Sequence, residues 1–277
     1  MENIDFASLE VIDATAKHKY SYSFDSENIL MKLLLKSPIS KSWSLRINKI
    51  IKLIHKLQKY YKTTVPIKII LIPTSLKKQL PKAQNQIIGV NECNSGATIS
   101  YGKADKYIII WRDEELEKVI IHEFIHYYGL DITGSLSLRD YNESYTEILA
   151  TVWSAKNLKR EYEHSMVVLA KLIKYWYGSY YPEITKKKPI PVDIKEKISE
   201  KTSVIGYYWI KAAMLYQIVK VRGGGKIDMK KISKKRYLRM ARMAVRDVGW
   251  QKELKKNYEK IMKKKNVDRS LRMMAGE

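Results

Sequence analysis

The sequence predicts an α+β protein: a small, mostly antiparallel sheet packed on one helix, followed by a largely helical C-terminal part. Three observations carry that expectation. β-branched runs bounded by Pro and Gly concentrate between residues 65 and 111. From residue 113 onward, apolar residues recur mainly at helical spacing. The two classes occupy separate stretches instead of alternating, which favours α+β over a wound βαβ arrangement. On this reading the chain divides into a helical segment over 1–62, a core over 63–180 that holds the sheet and the first helices after it, and a helical basic region over 181–277.

Taken in order, residues 1–25 are polar, show no clear period and read as irregular. Ser26 and Glu27 open a short apolar helix that ends near Lys36, with Pro38 beyond the stop. Over 42–61, Leu45, Ile47, Ile50, Ile51, Ile54, Leu57 and Tyr61 mark one amphipathic helix. Residues 65–72 are β-branched, lie among Pro66 and Pro73, and read as a strand. Short strands follow over 86–90, 97–101 and 107–111, with Gly89, Gly96 and Gly102 as breaks. Helices are expected over 113–129, 140–160, 163–178, 203–221, 230–246 and 250–265. Pro182, Pro189 and Pro191 mark one intervening loop, and the glycines at 223–225 mark another.

Apolar residues make up 45% of the 277, enough for a real core, but the formal net charge of +23 is unusual. Such a field favours anionic partners, whether nucleic acid, acidic protein or anionic lipid; a solvated Lys-rich surface is the plainer account. Residues 226–277 hold 18 Lys plus Arg against 6 Asp plus Glu, so about half of the excess sits there. This basic region is the expected place for nonspecific contact with nucleic acid or another polyanion. The single cysteine, Cys93, excludes an internal disulfide and suits a reducing compartment. No signal-peptide pattern opens the sequence and no apolar run approaches the roughly 20 residues of a membrane span, so the expected location is cytoplasmic.

Residues 122–126 read His-Glu-Phe-Ile-His, an HExxH motif. Histidines four apart on a helix share one face, so their imidazoles can converge on one tetrahedral zinc. Glu123 projects around the helix, where it can act as general base on a zinc-activated water without ligating the metal. The setting suits this chemistry. A strand over 107–111 precedes the motif, Asp113 is the expected N-cap, Leu116, Val119, Ile120 and Phe124 supply a buried stripe, and Gly129 is a natural stop. Only five histidines occur in the chain, and two of them fall on this spacing.

A third ligand must come from elsewhere. Glu143 and Glu147 lie four apart in the next helix and share a face; one can ligate while the other supports a ligand histidine. Asp140 with Glu143 also reads as a capping box, which would turn Glu143 back onto the backbone and leave Glu147 as the ligand.

HExxH followed by a helix with Asn142-Glu143 and Glu147 resembles the gluzincin superfamily of zinc peptidases. That resemblance implies His122, His126 and Glu143 as zinc ligands, with Glu147 supporting a bound histidine. It implies a zincin-like fold and cleavage of protein or peptide substrates. The stretch from Ile69 to Glu147 is also similar to metallopeptidases encoded by large DNA viruses of eukaryotes, through Ile72-Pro73-Thr74, Asn94-Ser95-Gly96 and the two zinc motifs. This would place the protein in the infected-cell cytoplasm or the virion. The link from His126 to Glu143 is slightly shorter than in thermolysin-like members, which keeps Glu147 open as the ligand. The Gly-Ala-Met-Glu-Asn motif of M1 aminopeptidases does not occur, so exopeptidase activity is not implied.

In gluzincins an edge strand beside the active-site helix binds the substrate backbone. The counterpart here is Ser95, Gly96 and Ala97, at the start of a run to Tyr101. The oxyanion stabiliser of such enzymes is a Tyr or His downstream of the third ligand, with Tyr207, Tyr208 and His164 as candidates. Peptide deformylases also pair HExxH with an upstream cysteine, but the residues around Cys93 do not match their motif. The expectation is therefore a zinc metalloendopeptidase. The alternatives are a catalytically inactive gluzincin fold and a basic nucleic-acid-associated structural protein.

Overall fold

A computed structural model describes residues 9–83, 86–101, 105–132, 138–199, 202–221 and 231–275. The breaks read at Gly102 and at the glycines of 223–225 lie outside these residues, as do the first eight of the chain. The protein is mixed α/β and forms two compact units. The first comprises Met1–Leu76 and Asn94–Leu130, and the second Lys77–Cys93 and Asp131–Glu277. These units interleave along the chain.

The first unit holds a short helix α1 (Leu9–Ala16), a long helix α2 (Lys41–Tyr61), and a five-stranded sheet. Its strands are β1 (Tyr20–Ser26), β2 (Ile29–Leu35), β3 (Ile67–Thr74), β4 (Gly96–Tyr101) and β5 (Asp105–Arg112), in spatial order β1-β2-β3-β5-β4. The two outer pairings are antiparallel, but β2 with β3 and β3 with β5 run parallel. The sheet is thus evenly mixed and not mostly antiparallel. The β2–β3 pairing is parallel because α2 carries the chain back between these strands, which a tight hairpin cannot do, and a long connection likewise separates β3 from β5.

The N-terminal part corrects two expectations at once. Residues read as irregular and then helical form the β1–β2 hairpin, closed by Glu27 in a left-handed conformation at φ 46°. Leu, Met and Lys favour helix intrinsically, which misleads a propensity reading. Burial decides otherwise: Ile29, Met31, Leu33 and Leu35 alternate inward while Leu30 and Lys32 face out, a period of two. Residues 86–90 are likewise not a strand. Ile88 makes a single bridge to Ile198, and Val90–Cys93 is a helical turn, α3.

α2 follows its amphipathic pattern, with Ile47, Ile50, Ile54 and Leu57 buried and Ser40 capping its start through Trp43 N. Helix α4 (Leu116–Tyr127) follows β5 and carries the HExxH motif. Asp113 is not its N-cap. Glu115 is, in a left-handed conformation without a side-chain cap bond, and Asp113 pairs instead with Arg46 of α2.

The second unit is helical. α5 (Arg139–Ser154) and α6 (Leu158–Tyr177) lead to a 3₁₀ stretch, Val192–Lys197. A continuous helical run follows, with π-helical turns Ile205–Ile210 and Gln217–Val221 on either side of α7 (Lys211–Tyr216). Helices α8 (Lys234–Ala244) and α9 (Val248–Met262) complete it. Trp209 and Trp250 meet edge-to-face at 6.2 Å in its core. Residues 268–275 lie against α6. Leu271, Met273 and Ala275 are buried, and Glu161, His164 and Lys171 of α6 bind the segment's backbone or Asp268. No helix among the described residues is long and apolar enough to cross a membrane.

Candidate functional site

Helix α4 is apolar nearly all round and buried accordingly, from Leu116 through Tyr127. Within this setting His122 and Glu123 are 8% and 7% exposed, and His126 is half-buried. The helix end is fixed from several directions. Lys106 of β5 donates to the carbonyls of His126 and Tyr127, where a cation also offsets the negative end of the helix. Tyr127 and Tyr128 donate their hydroxyls to the carbonyls of Pro66 and Val65. These ties hold the last turn, and with it the His126 ring.

The four-residue spacing brings the two imidazoles together: the Nε2 atoms of His122 and His126 stand 3.2 Å apart. Two nitrogens bound to one tetrahedral zinc at about 2.0–2.1 Å stand about 3.3 Å apart. The observed separation fits an N–H···N hydrogen bond, and it fits equally two lone pairs directed at one cation. His122 and His126 thus offer two nitrogens to one metal ion.

Glu123 is held by a residue that the sequence reading missed. Thr98 of β4 places its hydroxyl 2.9 Å from Glu123 Oε2 and 3.1 Å from the Glu123 carbonyl. Thr98 lies 25 residues away from Glu123 in sequence, and only the sheet register, Thr98 opposite Ile108, brings β4 alongside α4. Among the described residues Glu123 Oε1 accepts no hydrogen bond, so one oxygen of the carboxylate is anchored and the other is available. β4 is the edge strand expected from the substrate-strand reading. Ser95 accepts from the backbone N–H groups of Trp111 and Arg112, and Gly96 and Ala97 pair with Ile110 and Ile109. A Cβ on Gly96 would lie 2.9 Å from the Ile109 carbonyl and 3.2 Å from Val119 of α4, so glycine permits this close strand-to-helix approach.

In the second unit, Glu143 and Glu147 both lie within α5, and the capping-box reading does not hold. The helix starts at Arg139, its N-cap Leu138 makes no side-chain cap bond, and Asp140 and Glu143 are inside the helix. The two glutamates have different surroundings. Glu147 is 1% exposed, and its Oε1 accepts from Lys211 Nζ at 3.0 Å. Lys211 is itself buried and also donates to the Met273 carbonyl. Glu143 is half-buried one turn earlier, beside Gly206 of the first π-helical turn. A Cβ on Gly206 would lie 2.5 Å from the Asp140 carbonyl and 3.1 Å from Glu143 Cβ. Burial pushes the Asp140 carboxyl above the usual range, and the Gly206 backbone N–H bonded to it pulls the other way.

Two of the three oxyanion candidates serve the fold. Tyr208 donates its hydroxyl to the Leu271 carbonyl, and His164 donates Nε2–H to the Arg272 carbonyl. Tyr207 is half-buried on the same π-helical turn as Tyr208. Cys93 is buried and forms no disulfide.

The chain matches no protein-family model, and a search of curated proteins finds no match. The gluzincin resemblance therefore rests on the two motifs and on the surroundings of their residues.

Proposed function

We propose that this protein is a zinc-dependent metalloendopeptidase of gluzincin type, with a zincin-like catalytic core. His122, His126 and Glu143 would hold the metal. The observation that carries the reading is the pair of Nε2 atoms at 3.2 Å on one buried helix face, with a glutamate between them in sequence. Glu143 is favoured over Glu147 as third ligand because the Glu147 carboxylate balances the buried Lys211 ammonium. When bound, zinc supplies Lewis acidity, which polarises a carbonyl and makes water more acidic.

The chain's own groups supply the rest. Thr98 fixes Glu123 Oε2, which leaves Oε1 to accept the proton of an attacking water and to return it to the departing amine. The backbone at Ser95 and at Gly96 and Ala97 of β4 offers an edge along which an extended peptide can add as a further strand. Tyr207 is the hydrogen-bond donor assigned to the developing oxyanion.

The test is zinc content and peptide cleavage together. Wild type should hold one zinc per chain and cleave an unstructured protein. Glu123→Gln should keep the zinc and lose at least about 10²-fold in rate. His122→Ala should lose both. A wild type that takes up no zinc after reconstitution overturns the reading.

A further inference from the structure

We propose that the outer face of α8 binds the phosphate backbone of duplex nucleic acid. α8 is held inward by Tyr237, Met240, Ala241 and Ala244, all buried, and the Tyr237 hydroxyl meets Ser144 Oγ of α5 at 2.8 Å. At 100° per residue, Lys235, Arg239, Arg242 and Arg246 fall within about 60° of one another, opposite that buried face. All four are exposed, Arg246 lying in the turn that closes the helix. Arg242 is steadied by the Tyr141 ring, 5.7 Å below its guanidinium.

Fold stability does not account for this pattern. α8 contains no Asp or Glu, and among the described residues none of Lys234, Lys235, Arg236, Arg239, Arg242 and Arg246 forms an ion pair. Lys235 with Arg239, and Arg242 with Arg246, are like charges at i,i+4, which repel. Lys234, Lys235 and Arg236 occupy the first helical turn, where the helix dipole disfavours cations. α9 differs: its Glu253 accepts from Tyr162 and pairs with Lys220. A row of forked guanidiniums without internal partners suits phosphates.

The face also separates among polyanions. Single-strand binders stack bases on aromatic side chains, but the one aromatic of α8, Tyr237, is turned inward. A membrane-surface helix inserts its apolar face, and that of α8 is buried in protein. A duplex backbone needs neither, and binding to it would be independent of base sequence.

The experiment measures binding of the full chain to a fluorescent DNA duplex of about 20 mixed base pairs, between about 50 and 200 mM salt. Replacing Lys235, Arg239, Arg242 and Arg246 together by Gln should weaken binding more than tenfold and lower the slope of log K against log salt by about 3.6, or about 0.9 per contact. The thermal midpoint should not fall, since the changes relieve repulsion. The control replaces Lys49, Lys52, Lys56 and Lys59, an exposed lysine row on α2, by Gln and should leave the slope nearly unchanged. Arg239→Glu alone, should the fourfold variant not fold, is expected to weaken binding at every salt concentration. Equal losses from α8 and α2 would reduce the effect to net charge and overturn the proposal. So would wild type that fails to bind the duplex, or that binds only vesicles containing anionic lipid.

Discussion

Helices α4 and α5 each carry two chemically loaded side chains four residues apart, yet the two units hold them by different means. α4 is fixed by apolar burial on nearly every side and by tethers at its end from Lys106, Tyr127 and Tyr128. Its histidines face each other because the helical repeat puts them there. α5 also buries Tyr145, Ile148, Leu149 and Ala150, but what sets its acids apart is a glycine contact at Gly206 and one buried ion pair, Glu147 with Lys211. Its two glutamates, equivalent by spacing, are made different by residues more than fifty positions away. On the proposed reading, helix geometry supplies the histidine pair, and tertiary surroundings decide which acid is left to ligate.

The sharpest way to break that distinction is to exchange the fates of the two acids. Glu143→Ala should abolish zinc binding and cleavage while costing little stability. Glu147→Ala should retain zinc but unfold far more easily, by about 3–5 kcal/mol, because it leaves the Lys211 ammonium buried without its carboxylate. Chemical denaturation and metal analysis on both variants separate these outcomes; zinc lost only in Glu147→Ala would reverse the assignment. The double variant Glu147→Leu with Lys211→Met should recover most of the stability that either single change loses, since the pair is removed whole. A double-mutant cycle that shows simple additivity would mean that the ion pair is not the unit holding α5.

A smaller effect is expected at the glycine contact. Gly206→Ala places a methyl 2.5 Å from the Asp140 carbonyl, so α5 or the π-helical turn must shift. Overpacking of this kind costs about 1–3 kcal/mol. Because the methyl also meets Glu143 Cβ, zinc affinity should fall along with stability. Unchanged zinc affinity in a destabilised Gly206→Ala protein would show that Glu143 tolerates movement of its helix.

The same division between local and distant causes explains what could be read in the sequence. α4 with its motif, the strand before it and most later helices were legible, because each follows from spacing within a dozen residues. The β1–β2 hairpin was not: Leu, Met and Lys favour helix, and the alternation that defines β2 depends on β3 packing beside it. The parallel pairings were hidden for a related reason, since nothing in a strand's own residues states which neighbour it takes. At the candidate site, the facing of His122 and His126 was legible, whereas the different surroundings of Glu143 and Glu147 needed Lys211, and Tyr208 could not be known to bond the Leu271 carbonyl. Thr98 left no trace, as a lone threonine in a strand-forming run has no local mark that it faces a glutamate.

Thr98 also gives the mildest test of how α4 depends on its sheet. Thr98→Val keeps the branched shape that suits β4 and removes only the hydroxyl that meets Glu123 Oε2. The fold and the zinc content should be unchanged, since neither histidine touches this group. Losing one hydrogen bond to a charged group costs about 1.5–3 kcal/mol, and Glu123, only 7% exposed, can recover little of that from water, so a fall in kcat of roughly tenfold to a hundredfold is expected, with KM little changed. Thr98→Ser should restore most of the rate, because it returns the oxygen. A Thr98→Val protein with full activity would show that α4 alone orients its general base; a protein that loses zinc would show instead that β4 supports the whole helix face, histidines included.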